Sequence, residues 1–436
     1  MAWKAASIIA VAWLPMATST ASSGDLEPPE PHGAHPMATG MPPRDERALF
    51  QSDMALMAGM TPRDPMGGMP MPDWQFMTMG IARLQYNHQG GPSGDDAVES
   101  VNWSMVMLQR DVGRGRLTLM MMNSLEPVTF QKAGSPQLFQ TGETFEGRPI
   151  VDRQHPHDLF MNLSATYRAP FGGKGAYWAQ AALRGEPALG PTAFMHRASA
   201  GENPTAALAH HLQDATHITD DVITAGIGWG RISAEASAFH GAEPDEGRWD
   251  LDFGRLDSIA GRVKLELPRG WSAQVSHGFL NEPEALVEGD TRRTTASVHY
   301  GAAGDRPLAA TLLWGRNREE HGTFDSVLLE GAYQLTPDDQ AYARAEHVDK
   351  DLHLLETKGL AAHSEARGGQ EEQAVGIRAL TVGYLREVRR WSAVRAGLGA
   401  DVTLYDVPPQ LRSTYGESPV SFHVFLRVRW DRGHGH

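Results

Sequence analysis

The sequence contains no cysteine, which excludes a disulfide framework and a thiolate metal site. Its mean hydropathy is negative, and beyond the N-terminus no run approaches the roughly 18 apolar residues of a membrane-spanning helix. The formal net charge of −14 argues against a nucleic-acid partner. A membrane protein of this composition would have to cross the bilayer with strands closed into a barrel.

The N-terminus has the order of a secretory signal peptide. Lys4 precedes an apolar stretch from Ala5 to Leu14, and small residues follow at Ser19 and Ala21. We therefore predict that residues 1–21 are a signal peptide and that the protein belongs to a bacterial envelope. Residues 22–73, rich in methionine, histidine and proline, are predicted to be mostly irregular and to lie in the periplasm or plug a lumen.

From Trp74 onward, polar and apolar residues alternate with a period of two. The clearest strand, Ser421–Trp430, separates into an apolar face and a wetter face, respectively Phe422, Val424, Leu426, Val428 and Trp430, and Ser421, His423, Phe425, Arg427 and Arg429. A strand of an outer-membrane barrel is apolar towards lipid and tolerates polar residues inside. The alternation predicts an all-β transmembrane antiparallel barrel of about sixteen strands, between fourteen and eighteen, over residues 74–430, followed by a histidine-containing tail at 431–436.

The spacing of the predicted strands favours a barrel over a soluble β-sandwich. Short turns alternate with longer connections at 88–100, 124–156, 187–221, 242–257, 281–291, 318–323, 349–372 and 406–419. Outer-membrane barrels have short periplasmic turns and longer outer loops. A sandwich has strands at a similar spacing, but nothing in its architecture requires this alternation.

Ten of the nineteen methionines fall between Met37 and Met79, and thioethers suit Cu(I). Two groups stand out, namely Met54, Met57 and Met60 on a predicted helix, and Met66, Met69 and Met71 among prolines and glycines. The first group equally fits the apolar stripe of a plug helix, whereas the second favours metal binding. Strand parity directs four more into the lumen, where they would pack under a plug or extend a path of soft ligands: Met77, Met79, Met120 and Met122.

Histidines cluster in the predicted outer loops. His155 and His157 lie beside Asp158, and a second loop contains His210, His211 and His217. Imidazole with carboxylate suits Cu(II), zinc or nickel. Each histidine alone fits a solvated loop residue, but the closely spaced pairs with acidic neighbours favour a metal site.

A secreted chain with a methionine- and histidine-rich leader ahead of an outer-membrane barrel resembles, in layout, the copper-resistance protein B family. The segment GRPIVDRQHPHDLFMNLSATYR, residues 147–168, also resembles uncharacterised outer-membrane proteins of metal-handling systems. These resemblances imply copper binding and copper tolerance at the outer membrane. They imply copper as the bound ion and a periplasmic copper protein as a partner, beside the outer-membrane lipid.

Enzyme signatures are absent from the sequence: it has no GxSxG, Walker or HExxH motif. A barrel hydrolase would need a serine and a histidine together on the outer face, but the adjacent Ser276 and His277 must point to opposite faces. We therefore expect no enzyme. The sequence predicts a barrel for copper binding, tolerance or export, with the alternative of a passive porin or substrate-selective channel for small solutes.

Overall fold

A computed structural model describes residues 73–285, 289–302, 306–320, 322–356 and 374–432. Its strands, in chain order, are β1 (Gln75–His88), β2 (Asp96–Val112), β3 (Gly115–Asn123), β4 (Ser135–Pro136), β5 (Glu143–Phe145), β6 (Arg148–Ile150), β7 (Arg153–Gln154), β8 (Phe160–Phe171), β9 (Gly175–Gly185), β10 (Thr219–Trp229), β11 (Ile232–Phe239), β12 (Ser258–Glu266), β13 (Trp271–Leu280), β14 (Thr291–Ala302), β15 (Leu308–Glu319), β16 (Gly322–Gln334), β17 (Asp339–Asp351), β18 (Ala374–Trp391), β19 (Val394–Asp406) and β20 (Val420–Arg432).

Sixteen of these strands close into one antiparallel barrel. Each barrel strand pairs with its neighbours along the chain, and β20 pairs with β1 to complete the ring. The four short strands β4 to β7 form two separate two-stranded ladders in the connection between β3 and β8. The predicted sixteen-stranded transmembrane β-barrel is therefore confirmed.

The two faces of the last strand are those that its sequence predicts. Val424 and Leu426 are 53% and 41% exposed on the outside, whereas Arg427 is fully buried and Arg429 nearly so on the inside. An outward band of exposed leucine, isoleucine and valine continues around the ring, for example at Ile223 on β10. Lipid is the solvent that stabilises such a band, because these side chains would otherwise expose apolar area to water.

Aromatic side chains lie on the outer face beside the short turns. Trp229, Trp271 and Trp391 are each about half exposed and flank the turns at 230–231, 267–270 and 392–393. Indole rings favour the boundary between hydrocarbon and headgroups. This end of the barrel therefore lies at one membrane interface, the periplasmic one by the usual arrangement of short turns.

The longer connections that the structure describes lie at the other end. They are 89–95, 124–159, 186–218, 240–257 and 407–419, with the described parts of 281–290 and 352–373. The predicted long connection at 318–323 is wrong, because β15 and β16 continue pairing as far as Glu319 and Gly322 and leave only residues 320–321 between them. The alternation of long and short connections therefore breaks at this hairpin.

The end of β18 also differs from what its sequence predicts. The polar sequence EVRR, residues 387–390, predicts a turn, but β18 runs through it to Trp391. A bulge between Glu387 and Arg389 absorbs one extra residue, so pairing with β19 resumes beyond it. The turn then falls at residues 392–393, where Ser392 adopts a positive φ of 41°.

Helical structure among the described residues is limited to short turns in the connections. They span Glu126–Thr129, Phe194–His196, His210–Gln213, Ala215–His217, Pro268–Gly270, Leu352–Glu356, Pro409–Leu411 and Arg412–Tyr415. In this part of the chain no helix has the length and apolar character needed to cross a membrane.

Candidate functional site

Residues 186–218, here called the lumenal segment, connect β9 to β10 and pack against the inner wall of the barrel. Near its start, the backbone N–H of Ala188 donates to Ser237 Oγ on β11 at 2.8 Å, and that of Gly190 donates to Ser276 Oγ on β13 at 2.8 Å. Arg262 on β12 donates to the carbonyl of Gly190 at 2.8 Å. Three neighbouring strands therefore hold this part of the segment.

The middle of the lumenal segment is fixed by ionic contacts. Arg197 Nε donates to Glu330 Oε1 on β16 at 2.7 Å, and its Nη1 contacts Asp214 of the same segment. Ser199 Oγ lies 2.8 Å from Thr311 Oγ1 on β15 and 2.9 Å from Glu330 Oε1. All these side chains are buried. Because a buried carboxylate without a partner is costly, these contacts hold the segment against the wall.

Glu202 attaches the lumenal segment to a different part of the wall. Its carboxylate accepts from Arg427 Nη1 on β20 at 2.6 Å and lies 3.5 Å from Arg429 Nη1 and 3.6 Å from Arg83 Nη2 on β1. In the ring order β12 and β20 are eight positions apart among sixteen strands. The segment therefore crosses the lumen from one side to the opposite side between Gly190 and Glu202.

Charged and polar side chains also pair directly across neighbouring wall strands. Glu235 on β11 lies 2.9 Å from Arg262 Nη2 and 3.2 Å from Lys264 Nζ on β12. Asp401 on β19 lies 2.7 Å from His423 Nδ1 on β20. Such pairs stiffen the wall and occupy the inner cross-section.

The four methionines predicted to face the lumen form part of two regular rows. In the strand register Met77 is opposite Met107, which is opposite Met120, and in the next row Met79, Met105 and Met122 align in the same way. The two rows belong to one cluster of buried apolar side chains, here called the methionine cluster. It also contains Met161 and Met195, with Trp103, Phe194 and Ile218 among its other members. Packing beneath the lumenal segment is therefore the role that the contacts of these methionines support directly.

Two unpartnered polar atoms border this methionine cluster. The rings of Trp103 and His196 meet edge to face with centroids 4.9 Å apart, and within the described residues neither Trp103 Nε1 nor His196 Nδ1 has a hydrogen-bond partner. Burial lowers the pKa of His196 to about 3. A neutral imidazole therefore lies against Trp103 of this cluster.

The five histidines predicted as metal ligands come together from two connections. Ring centroids are 6.4 Å apart between His155 and His157, 5.5 Å between His157 and His217, 5.1 Å between His217 and His210, and 5.7 Å between His210 and His211. Acidic partners orient two of them, since Nδ1 of His157 contacts Glu126 at 2.7 Å and Nδ1 of His210 contacts Asp214 at 2.7 Å. Carboxylates orient metal-binding histidines in the same way.

Both ends of the histidine row, His155 and His211, meet glutamates that cannot be recognised as partners from the sequence. The resulting group, here called the outer-loop cluster, contains Glu143, His155, His211, Glu243 and Glu284. Its members come from four connections of the long-loop end, 124–159, 186–218, 240–257 and 281–290. The positions of these residues in the sequence do not predict that they come together.

The electrostatics of the outer-loop cluster are unusual for three glutamates. Burial, and next the charge of Glu243, raise the pKa of both Glu143 and Glu284 to about 7. Burial alone would raise the pKa of Glu243, but the nearby charge of His211 lowers it to about 2. Burial would lower the pKa of His211, yet Glu243 and Glu284 raise it well above its ordinary value. The cluster therefore carries closely balanced charges in a dry environment.

The other predicted metal ligands lie outside the described residues. These are Met54, Met57, Met60, Met66, Met69 and Met71. Residues 1–72 and 433–436 as a whole also lie outside the described residues. The role of these methionines remains a prediction.

Solved structures of porin-like barrels are similar to this chain. Pseudomonas putida OprB matches with 9% identity over 82% of this chain and 94% of its own, at a TM-score of 0.51. Salmonella typhi OmpF, solved with daunomycin, matches with 8% identity over 81% and 97% at 0.50. An anion-selective porin from Comamonas acidovorans matches with 11% identity over 82% and 100% at 0.48. No protein-family model matches the chain, and no curated protein is significantly similar to it.

The fold, the apolar outer band and the aromatic belt together define a porin-like β-barrel of the bacterial outer membrane. The predicted location is therefore confirmed. The likeness to the copper-resistance protein B family has no family-model match behind it, and at 8–11% identity the solved structures are informative about the fold alone.

Proposed function

We propose that this protein is a substrate-selective outer-membrane channel whose resting lumen is closed by the lumenal segment. The observation that carries the proposal is the crossing of the lumen between Gly190 at β12 and Glu202 at β20. A permanently open porin of sixteen strands leaves an aqueous channel. A segment held at both ends instead makes passage depend on its displacement.

The charges of the segment and wall support small polar or charged solutes as the substrates. Arg83, Arg427 and Arg429 face Glu202, and Arg344 faces Glu330. A solute with its own charge or hydrogen-bonding groups can replace such contacts when the segment moves, whereas an apolar solute would leave them unpaired. Selectivity therefore follows from the contacts that close the lumen.

Glu202→Ala tests the closure. Removing one partner of a buried ionic contact costs about 3–5 kcal/mol, and a bias of about 3 kcal/mol between closed and open states changes their ratio about a hundredfold. We expect a larger open probability in planar bilayers than for the wild-type chain. We also expect a shift of the reversal potential towards anion selectivity, because three arginines lose a carboxylate.

Glu202→Gln provides the matched control, since it keeps the size of the side chain and can still accept hydrogen bonds. Its open probability should lie between those of the wild-type and Glu202→Ala channels. Equal conductance, open probability and reversal potential in all three proteins would show that the segment does not close the lumen.

Copper binding is the second candidate function, and the two methionine rows are the observation that favours it. Met77 and Met120, in the row nearer the start of β1, are partly buried, whereas Met79, Met105 and Met122 are almost fully buried. The predicted leader ends where β1 begins. We propose that Cu(I) passes from leader methionines to this first row, because thioethers are soft ligands.

The test of this second candidate is the Cu(I) stoichiometry of the purified protein under reducing conditions. We expect the full-length protein to bind more copper than a variant lacking residues 22–73. Met77→Leu with Met120→Leu, which keeps the packing volume but removes two sulfurs, should lower the copper bound by the leaderless barrel. A full-length protein that binds no copper would leave only the channel.

A further inference from the structure

The outer-loop cluster brings four separate connections to one point. His155 Nε2 lies 2.7 Å from Glu143 Oε1, and His211 Nε2 lies 3.7 Å from the same oxygen. On the other side of the His211 ring, Nδ1 lies 3.2 Å from Glu284 Oε1 and 3.6 Å from Glu243 Oε1. One ligand atom from each of Glu143, His211 and Glu243 can be chosen so that all lie within 4.8 Å of one another.

Several ligand atoms in this cluster are buried and, among the described residues, have no hydrogen-bond partner. They are His211 Nε2, His155 Nδ1, Glu243 Oε1 and Glu284 Oε2. The His211 side chain is 8% exposed and its Nε2 faces Glu143. Buried polar atoms are normally satisfied by protein, water or an ion. A cation bound between these atoms would satisfy them.

Two arginines lie near the cluster. Arg248 Nη2 approaches Glu143 Oε2 at 3.6 Å, so it binds the oxygen of Glu143 that points away from both histidines. Arg293 on β14 is buried and its Nε donates to Asn317. The charge of Arg293 lowers the pKa of Glu243, but among the described residues Arg293 makes no ion pair with the carboxylates around His211.

From this arrangement we infer that the outer-loop cluster is a binding site for one divalent transition-metal cation such as Zn²⁺, with Glu143, His211 and Glu243 as ligands. Imidazole nitrogen beside carboxylate oxygen selects borderline cations over Mg²⁺ or Ca²⁺, which prefer an all-oxygen shell. His155 and Glu284 lie next to the ligands, where each can complete the coordination or orient a ligand.

A cation at this position would join the lumenal segment to two other connections, because its three ligands come from 124–159, 186–218 and 240–257. The proposed site lies at the outer mouth of the barrel and takes a borderline divalent ion. It is therefore independent of the methionine rows and of Cu(I) transport.

The experiment is Zn²⁺ titration of the purified full-length barrel, with Mg²⁺ as the comparison ion. We expect Glu243→Gln and His211→Gln each to bind one Zn²⁺ fewer per chain than the wild-type protein, or to bind it at least about tenfold more weakly. The leader and tail are unchanged in both variants, so any Zn²⁺ that they bind contributes equally to the variants and to the wild-type protein. Mg²⁺ should show no binding that depends on these residues.

Glu235→Gln is the matched control, because Glu235 is a buried glutamate paired with Arg262 and Lys264 on the wall away from the cluster. It should bind Zn²⁺ as the wild-type chain does. Unchanged zinc binding in Glu243→Gln and His211→Gln would overturn the inference.

Crystals of the wild-type protein soaked in Zn²⁺ give a measurement that is independent of variant folding. An anomalous peak at the zinc edge between Glu143, His211 and Glu243 is the expected result. Data that place zinc only elsewhere, or show no peak at the cluster, would mean that these residues form a proton-sharing polar network and not a metal site.

Discussion

Oxidation of a cysteine pair introduced as Ser199→Cys and Thr311→Cys should abolish conductance, and reduction should restore it. The hydroxyl oxygens of Ser199 and Thr311 are 2.8 Å apart, so two sulfurs at these positions need only a small approach to form a bond of about 2.05 Å. The bond would fix the lumenal segment to β15. If passage requires the segment to move away from the wall, the oxidised channel stays closed.

The chain is well suited to this experiment because it contains no cysteine of its own. The introduced sulfurs are therefore the only thiols, and the two single-cysteine variants control for the substitutions. Thr381→Cys with Thr403→Cys is the matched pair, since these hydroxyl oxygens are also 2.8 Å apart but link β18 to β19. Oxidising that pair should leave conductance unchanged.

Bilayer recordings before and after addition of a reductant provide the measurement. An oxidised Ser199→Cys/Thr311→Cys channel that conducts like its reduced form would show that solutes pass without displacing the segment at this contact. The proposed closure would then be wrong even though the segment crosses the lumen.

The barrel could be predicted from the sequence because lipid imposes a local rule on every strand. At Ser421–Trp430, alternate side chains meet hydrocarbon or lumen, so the strand and its two faces follow from ten residues alone. Strand ends were less predictable. Glu387 to Arg390 form a polar run that reads as a turn, but pairing with β19 continues past a bulge that the sequence does not signal.

The methionine rows were only half predicted, and the reason lies in β2. A water-filled lumen would disfavour inward apolar side chains, but on this strand Trp103, Met105 and Met107 point inward while Ser104 points outward and bonds Asn123. The inward residues pack against the lumenal segment, so they meet a small apolar core instead of water. A rule based on a wet interior fails wherever a connection folds back into the barrel.

The histidine groups were predicted from local spacing, whereas the glutamates of the outer-loop cluster were not. His155 and His211 stand out because each lies within two residues of another histidine beside acidic side chains. Glu143 and Glu284 are 141 residues apart in the chain, and Glu243 lies between them. The three meet only because the barrel brings their loops to one end. Such a convergence depends on tertiary structure, which periodicity does not encode.

Arg184→Ala should destabilise the barrel by about 3–5 kcal/mol. Arg184 is fully buried at the outer end of β9, and its Nε and Nη2 donate to the two oxygens of Asp220 at 2.8 and 2.7 Å. It also contacts Asp158 and Asp252 from two different connections. Removing it leaves three carboxylates near one another, two of them deeply buried, and among the described residues Arg248 beside Asp158 is the cation that remains in contact with them.

Reversible urea unfolding in lipid vesicles measures the loss of unfolding free energy in Arg184→Ala. Two further variants serve as comparisons. Arg184→Lys keeps the charge but cannot donate to both oxygens of Asp220 in a fork, so its unfolding free energy should fall between those of the wild type and Arg184→Ala. Arg378→Ala removes a cation from a pair with Asp406 whose side chains are 70% and 64% exposed, and it should unfold like the wild-type protein because water and salt screen such pairs. If Arg184→Ala unfolds at the same urea concentration as Arg378→Ala, the Arg184 cluster does not hold the outer loops to the barrel.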